Sequence, residues 1–341
     1  MSTLQQIKSP FITNKQYQEL VFIFLSFLFF FFLIILRPLN STDTEGYFKY
    51  FQNASLKNPV PEKSFVIISL IAKFLGGEIY GFRIVLFIYA TISIILLFSL
   101  LKKNSNPIIA FLVYFSFAYI YQMNIQIRSC IANLIFCHAL YDIYDKNWKK
   151  YYIKIIIAFL FHNSSVLFFP IYPFCRFILR KRKLLIILPF LFVILAYFTG
   201  DIIFTFVSLG ETHGFRALNV LKAYTQFSKY HVNPLNRFSL FIFFLHYFYI
   251  FCFPLKKITE KEIICLSILS ISIFCYFFGA FNLPIIAERY PEVFNLVLVL
   301  FFPLIIKRVK EKDIFFVLFL IYIAIANMQY KTFETLLGYF L

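Results

Sequence analysis

From residue 83 to residue 101 the chain reads Arg83-Ile-Val-Leu-Phe-Ile-Tyr-Ala-Thr-Ile-Ser-Ile-Ile-Leu-Leu-Phe-Ser-Leu-Leu101, and the next two residues are Lys102 and Lys103. A helix rises 1.5 Å per residue, so about 20 apolar residues cross the roughly 30 Å of a bilayer's hydrocarbon. A run of this length, free of charge after Arg83 and closed by two lysines, reads as a membrane span. Comparable runs recur near 18–36, 107–122, 125–145, 184–199, 236–255, 263–280, 292–306 and 313–329. Two stretches are ambiguous. Residues 65–76 are apolar but short and end in Gly76-Gly77. Residues 152–180 carry a polar break, His162-Asn163-Ser164-Ser165, between two short apolar halves.

Composition agrees. The chain is 61% hydrophobic and 14% charged, with 51 Phe among 341 residues. Soluble domains carry about 25% charged residues, so this surface cannot face water throughout. The fold class is all-α: a polytopic integral membrane protein, read as a single transmembrane domain over 1–341 with large outer loops at 37–64 and 200–235. Residues 1–16 are polar and lead into a full span with no small-residue cleavage site, which reads as a retained helix. The net charge of +17 does not call for nucleic acid, because basic residues collect in cytoplasmic loops. Cys130, Cys137, Cys175, Cys252, Cys265 and Cys275 lie in or beside apolar runs without CxxC spacing. They read as small buried hydrophobes rather than disulfides or metal ligands.

The basic clusters set the expected topology. Lys102-Lys103, Lys146 with Lys149-Lys150, Arg180 to Lys183, Lys256-Lys257 with Lys261, and Lys307-Arg308 with Lys310 and Lys312 should share the cytoplasmic side. This holds with a cytoplasmic N-terminus, a short outer dipping helix at 65–76, and 152–180 crossing twice with its break outside. About eleven crossings follow, with the C-terminus outside. The 200–235 arc is read as an amphipathic surface helix on the stripe Phe215, Leu218, Leu221 and Lys222.

Most unusual polar residues then fall on the outer side. Arg128, in Asn124-Ile-Gln-Ile-Arg128-Ser-Cys-Ile-Ala132, is a cation inside an apolar run with no acid near it in sequence. Such a charge costs roughly 2.5–3.5 kcal/mol on insertion scales. It either binds an anion or bridges to a carboxylate elsewhere, with Glu62, Asp43 and Glu288 as candidates. Arg289, in Ala287-Glu288-Arg289-Tyr290-Pro291, stands where a helix is expected to open, a place suited to holding an anion. At similar depth, Arg128 and Arg289 would clamp a diphosphate bidentately. The first outer arc, from Arg37 through Asp43, Tyr47 and Tyr50 to Glu62, suits either sugar binding or interfacial anchoring. His162 sits at a backbone break and is either a general base or a hydrogen-bonded plug. His138 and His246 read as satisfied core residues. No HExxH or paired-acid spacing points to a metal.

Together these residues resemble the EpsG family of exopolysaccharide polymerases, related to Wzy-type O-antigen polymerases. The likeness rests on three short phrases in family order. The first is Arg37, Asp43, Tyr47, Glu62 and Phe65; the second is Arg128 and Ala132 followed by His162 and Ser164; the third is Arg289 and Tyr290. The chain departs from the pattern at Ser129, where Gln is common, and at Asn40-Ser41-Thr42, where a Gly-Thr pair is usual.

The resemblance implies a glycosyltransferase of the bacterial cytoplasmic (inner) membrane. It would polymerise undecaprenyl-diphosphate-linked oligosaccharide units into O-antigen, capsule or exopolysaccharide on the outer face, with no cofactor. On that reading the hypothesis for the site is that Arg128 and Arg289, assisted by Arg216 or Arg37, hold the diphosphate. A base is drawn from His162, Asp43 and Glu62, and Tyr47 and Tyr290 contact sugar. Expected partners are the lipid-linked oligosaccharide, the bilayer, a chain-length regulator and a flippase. Competing readings are a lipid-linked sugar flippase, a small-solute transporter, a polysaccharide ligase and a structural scaffold. Transporters tend to have related halves, and the sequence shows no internal repeat.

Overall fold

The computed structural model describes residues 42–57, 62–199 and 232–309, together with positions 21, 23–28, 31, 32, 34, 35, 319 and 322; the side chains at 42, 43, 120, 121 and 124 are excepted. Every element among them is helical. In chain order they are α1 (Thr42–Gln52), α2 (Lys63–Gly76), α3 (Ile79–Lys102), α4 (Pro107–Phe117), a π-helical turn (Tyr119–Ile125), α5 (Ile127–Tyr144) and α6 (Trp148–Phe161). A 3-10 turn (Asn163–Phe168) then leads to α7 (Ile171–Arg180), α8 (Leu184–Phe198), α9 (Arg237–Cys252), α10 (Glu260–Phe281), α11 (Pro284–Asn295) and α12 (Leu298–Arg308).

Local chemistry places several of these boundaries. Asn106 accepts from the Ile109 amide at 3.2 Å with Pro107 in the first turn, so α4 starts there. Asn147 caps α6 through the Lys150 amide at 3.1 Å. Thr259 and Glu262 form a reciprocal capping box that opens α10. The break expected at 162–165 is present: His162 is extended, with φ −153° and ψ 120°, and ends α6.

Two described helices, α3 and α10, are each long and apolar enough to cross a membrane, and α11 with α12 would make a third span bent by 48°. The full count of eleven crossings therefore stays an expectation. Positions 21–35 are helical wherever described, while 313–329 is described only at Phe319 and Tyr322, both helical. The surface helix expected at 200–235, with Phe215, Leu218, Leu221 and Lys222, lies outside the described residues apart from the loop at 232–235. The single span expected at 292–306 is corrected. The helix begins at Pro284, carries Pro291 and Pro303 inside it, and breaks at Leu296-Val297, between α11 and α12.

α10 lies at the centre, packed against α5, α7, α8, α9, α11 and α12. Its apolar window is 78% buried, against 44% for the peripheral α3. At Gly279 an added Cβ would lie 2.0 Å from the Ala287 amide nitrogen, so only glycine lets α11 approach α10 this closely. Outer helices leave apolar stripes uncovered: Phe244, Phe248 and Phe251 on α9, and Ile187, Phe190 and Ile194 on α8. Stripes of this extent suit lipid rather than water. Cys252 is exposed and Cys275 half-buried; the other four cysteines are buried as expected, and all six are free thiols. His138 and His246 bond the Leu96 and Leu185 carbonyls through Nε2, at 2.9 and 3.0 Å.

Among the described residues the basic clusters gather at one end of the bundle, with Lys310 and Lys312 outside those residues. Lys103, Lys261 and Lys307 line a common cleft with Tyr144, just ahead of Lys146. Arg182 donates to the Ile258 carbonyl at 3.1 Å, and Arg308 pairs with Glu262 at 3.1 Å. Since α5 ends at that cleft with Tyr144, its first residues, Arg128 among them, stand at the opposite end.

Candidate functional site

At that opposite end three helix termini converge. Glu62 precedes α2 in extended conformation, Arg128 is the second residue of α5, and His162 closes α6. Ser64 donates to the Leu160 carbonyl at 2.6 Å and pins the start of α2 to the end of α6. The π-helical turn delivers the chain to Ile127. Arg128 therefore lies in the first turn of α5, and Asn124 belongs to the π turn rather than to a shared face of α5.

Glu62 is the hub. One carboxylate oxygen, Oε2, accepts from Arg128 Nη1. The other, Oε1, lies 3.1 Å from His162 Nδ1 and 3.5 Å from the Asn163 amide. Of the carboxylates proposed to meet Arg128, Glu62 makes the bridge, whereas Glu288 is exposed on α11. The Arg128 guanidinium also stands 5.2 Å from the centre of the Tyr47 ring. Tyr47 in turn contacts Phe65, and Phe65 contacts Tyr89, each with ring centres 6.0 Å apart. The Arg128 Nε–H has no acceptor among the described residues.

Exposure grades across the cluster. The Glu62 side chain is 5% exposed, Arg128 15% and His162 29%. Burial pushes the Glu62 carboxyl up, but the His162 hydrogen bond and the Arg128 charge outweigh it and hold the group below its ordinary 4.5. A carboxylate can only accept, so His162 Nδ1 carries a proton toward it. In the neutral ring this leaves Nε2 with its lone pair, on the most open residue of the cluster. The arrangement can therefore take a proton at His162 Nε2 while Glu62 fixes the ring and steadies the imidazolium. It can also present a guanidinium edge to an anion.

Arg289 and Tyr290 lie on α11, Arg289 exposed and Tyr290 half-buried. Because α11 begins at Pro284, Arg289 is in the second turn and not at the helix start, so the free first-turn amides do not explain it. The level of Arg289 follows from packing. Phe294 of α11 meets Phe136 of α5 with ring centres 6.1 Å apart. Counting back at 1.5 Å per residue puts Arg128 roughly 12 Å and Arg289 roughly 7.5 Å toward the same end. Both residues thus lie toward the same end of the bundle from that contact. The Asp43 backbone lies in the first turn of α1; its side chain, Arg37 and Arg216 fall outside the described residues. Sequence reading passed over Glu292, a buried acid four residues after Glu288, whose Oε2 lacks a partner among the described residues. The signal was there in an acid repeated one helical turn on. Among the described residues, no three His, Cys, Asp or Glu side chains converge to hold a metal.

The sequence pattern of the EpsG family matches residues 20–340. The chain belongs to the EpsG family. That match spans all three phrases on which the resemblance rests. No curated protein and no solved structure matches the chain. EpsG is a Wzy-like polymerase family, so this EpsG protein is a membrane protein with an exopolysaccharide polymerase-like role. The Arg128–Glu62–His162 cluster lies wholly inside the matched region.

Proposed function

We propose that this EpsG protein is a Wzy-type polymerase. It lengthens a surface polysaccharide from oligosaccharide units carried on undecaprenyl diphosphate, at the outer face of the bacterial cytoplasmic membrane. One observation carries the reading: a guanidinium, a carboxylate and an imidazole are coupled at the bundle end remote from every described basic cluster. By the bias of lysine and arginine toward the cytoplasm, the cluster's end is the outer one and the N-terminus lies inside.

In the reaction the growing chain is the donor and a sugar hydroxyl of the incoming lipid-linked unit is the acceptor. The acceptor oxygen forms a bond to the donor's anomeric carbon as the bond from that carbon to the diphosphate breaks. The hydroxyl proton passes to His162 Nε2, and the diphosphate leaves on its polyprenyl carrier. Negative charge grows on the leaving oxygen, where Arg128 and Arg289 act; preplaced donors of this kind are worth about 10²–10³ in rate. Glu62 orients the base, and Tyr47 packs on the guanidinium and offers its edge to sugar. Asp43, Arg37, Arg216 and Tyr290 remain further candidates for this site. In the cell, a flippase that delivers the lipid-linked units and a chain-length regulator are the expected partners, and neither takes part in the bond-forming step.

The test is reconstitution. Purified protein in lipid nanodiscs, given undecaprenyl-diphosphate-linked repeat units alone, should yield a ladder of products. Arg128→Ala and His162→Ala should each abolish it. Normal polymer length and yield from both variants would overturn the reading. Transfer of a finished chain to a different acceptor, with no ladder, would identify a ligase instead.

A further inference from the structure

The opposite end of the bundle holds a second site. A cleft of about 250 Å³ opens between the end of α3, the end of α5, the start of α10 and α12. Lys103, Lys261 and Lys307 reach it from three distant parts of the chain, and no acidic side chain lines it. Asp145 and Glu260 flank the lining residues Tyr144 and Lys261 in sequence but do not line the cleft, and two further acids nearby are engaged elsewhere. Asp142 pairs with Lys154 at 2.5 Å, and Glu262 pairs with Arg308 while capping α10. None of the three lysines has a carboxylate within ion-pair distance among the described residues.

Like charges are here held together by aromatic rings. The ammonium groups of Lys103 and Lys261 lie 5.4 and 5.8 Å from the centre of the same Tyr141 ring. Lys261 is also 4.7 Å from Tyr144. Lys103 Nζ lies 3.5 Å from His138 Nδ1, and the Leu96 carbonyl fixes His138 Nε2 as the donor, leaving Nδ1 to accept. Below this polar mouth the wall is apolar: Leu140, Ile264, Cys265, Leu300 and Leu304.

We propose that this cleft binds the phosphate headgroup of an anionic phospholipid. Three cations without a counter-anion among the described residues select an anion, and their spread around one mouth suits the several oxygens of a phosphate. The wall beneath the ammonium groups is apolar, so the apolar part of a phospholipid meets matching surface that a free phosphate does not use. Basic pockets between membrane helices recognise anionic headgroups through this combination. The site stands apart from the Arg128 cluster, and the proposal does not depend on the polymerase reading.

The experiment uses the full chain in phosphatidylcholine nanodiscs, with phosphatidylglycerol added in one arm and inorganic phosphate in the other. Native mass spectrometry counts retained lipid, and thermal unfolding reports stabilisation. Phosphatidylglycerol should be retained and should raise the unfolding midpoint, and phosphate should do neither. The triple variant Lys103→Gln, Lys261→Gln, Lys307→Gln should retain at least about tenfold less, since each ammonium near an anionic headgroup is worth roughly a factor of five. The single variant Lys261→Gln, should the triple fail to fold, should retain a few-fold less. The triple Lys→Arg variant should bind like wild type, and Lys149→Gln, outside the cleft, should change nothing. Undiminished retention in the glutamine variants overturns the proposal. Stabilisation by phosphate alone overturns the lipid assignment.

Discussion

The two ends of this bundle handle positive charge in opposite ways. At the cleft, Lys103, Lys261 and Lys307 keep exposed ammonium groups near one another, with rings beside them and no acid among the described residues lining the site. At the other end Arg128 is buried against Glu62, and that carboxylate is shared with His162. An exposed cation is solvated and tolerates its own kind, whereas a cation at the mouth of an apolar core must be matched atom by atom. The contrast separates a surface open to a charged partner from a cluster whose charges are matched within the fold.

Disrupting the matched end should have the largest effect. Glu62→Gln removes the anion beside both Arg128 and His162. Because breaking a buried ion pair costs about 3–5 kcal/mol, the unfolding midpoint should fall sharply and polymer should vanish from cells carrying the variant. An active, stable Glu62→Gln protein would show that the cluster is neither a support nor a site. The double variant Arg128→Met with Glu62→Met sharpens the point. It should recover most of the lost stability, since apolar pairs often replace buried ions without loss, yet make no polymer.

Gly279→Ala should come next. Its Cβ would meet the Ala287 backbone, so α11 must move away from α10 and carry Arg289 with it. A lower unfolding midpoint with shortened polymer is expected, and a wild-type midpoint would contradict the close approach of the helices.

Acid should weaken the matched end selectively. The Glu62 carboxyl titrates below its ordinary 4.5 in the folded protein. Its stabilisation is therefore complete above that value and fades as pH falls through the lower folded one. Stability followed by thermal unfolding from neutral pH down through that range should show a steeper acid limb in wild type than in Glu62→Gln. Equal limbs would mean that Glu62 is not held low.

The smallest effect should come from Lys49→Ala. Lys49 and Glu45 form an ion pair on α1 in which both side chains are more than half exposed. Although α1 belongs to the site end, its loss should leave the unfolding midpoint within error. A clear drop would mean that position in the bundle, rather than burial, decides how much a charge matters.

Much of this plan could be read from residue order, for identifiable reasons. The run ending at Lys102, the break at His162 and the shared side of the basic clusters follow from local length, polarity and charge, and all three are present. Of the candidate site residues, Arg128 and His162 stood out as polar groups in or beside apolar runs, while Glu62 and Tyr47 stood out in the first outer arc and through the family resemblance. Glu62 was one of three carboxylates expected to bridge Arg128; that it is the one, and that it also takes up His162, follows only from the fold that pins the start of α2 to the end of α6. Proline hid the true start of α11, because Pro284 begins that helix while Pro291, inside it, resembles a boundary. Glu292 was missed because an acid beside Pro291 reads as the edge of a span, although Glu288 stands one helical turn before it.

The π-helical turn at Tyr119–Ile125 gives the matched end a further property, that of a spacer with a fixed phase. Each residue of helix turns the chain by about 100° and advances it about 1.5 Å. Taking one residue out of this turn would keep every side chain of α5 yet rotate the whole helix about its axis. Arg128 would then face a different neighbour with its chemistry intact, so a change in length here acts as a mutation of angle rather than of composition.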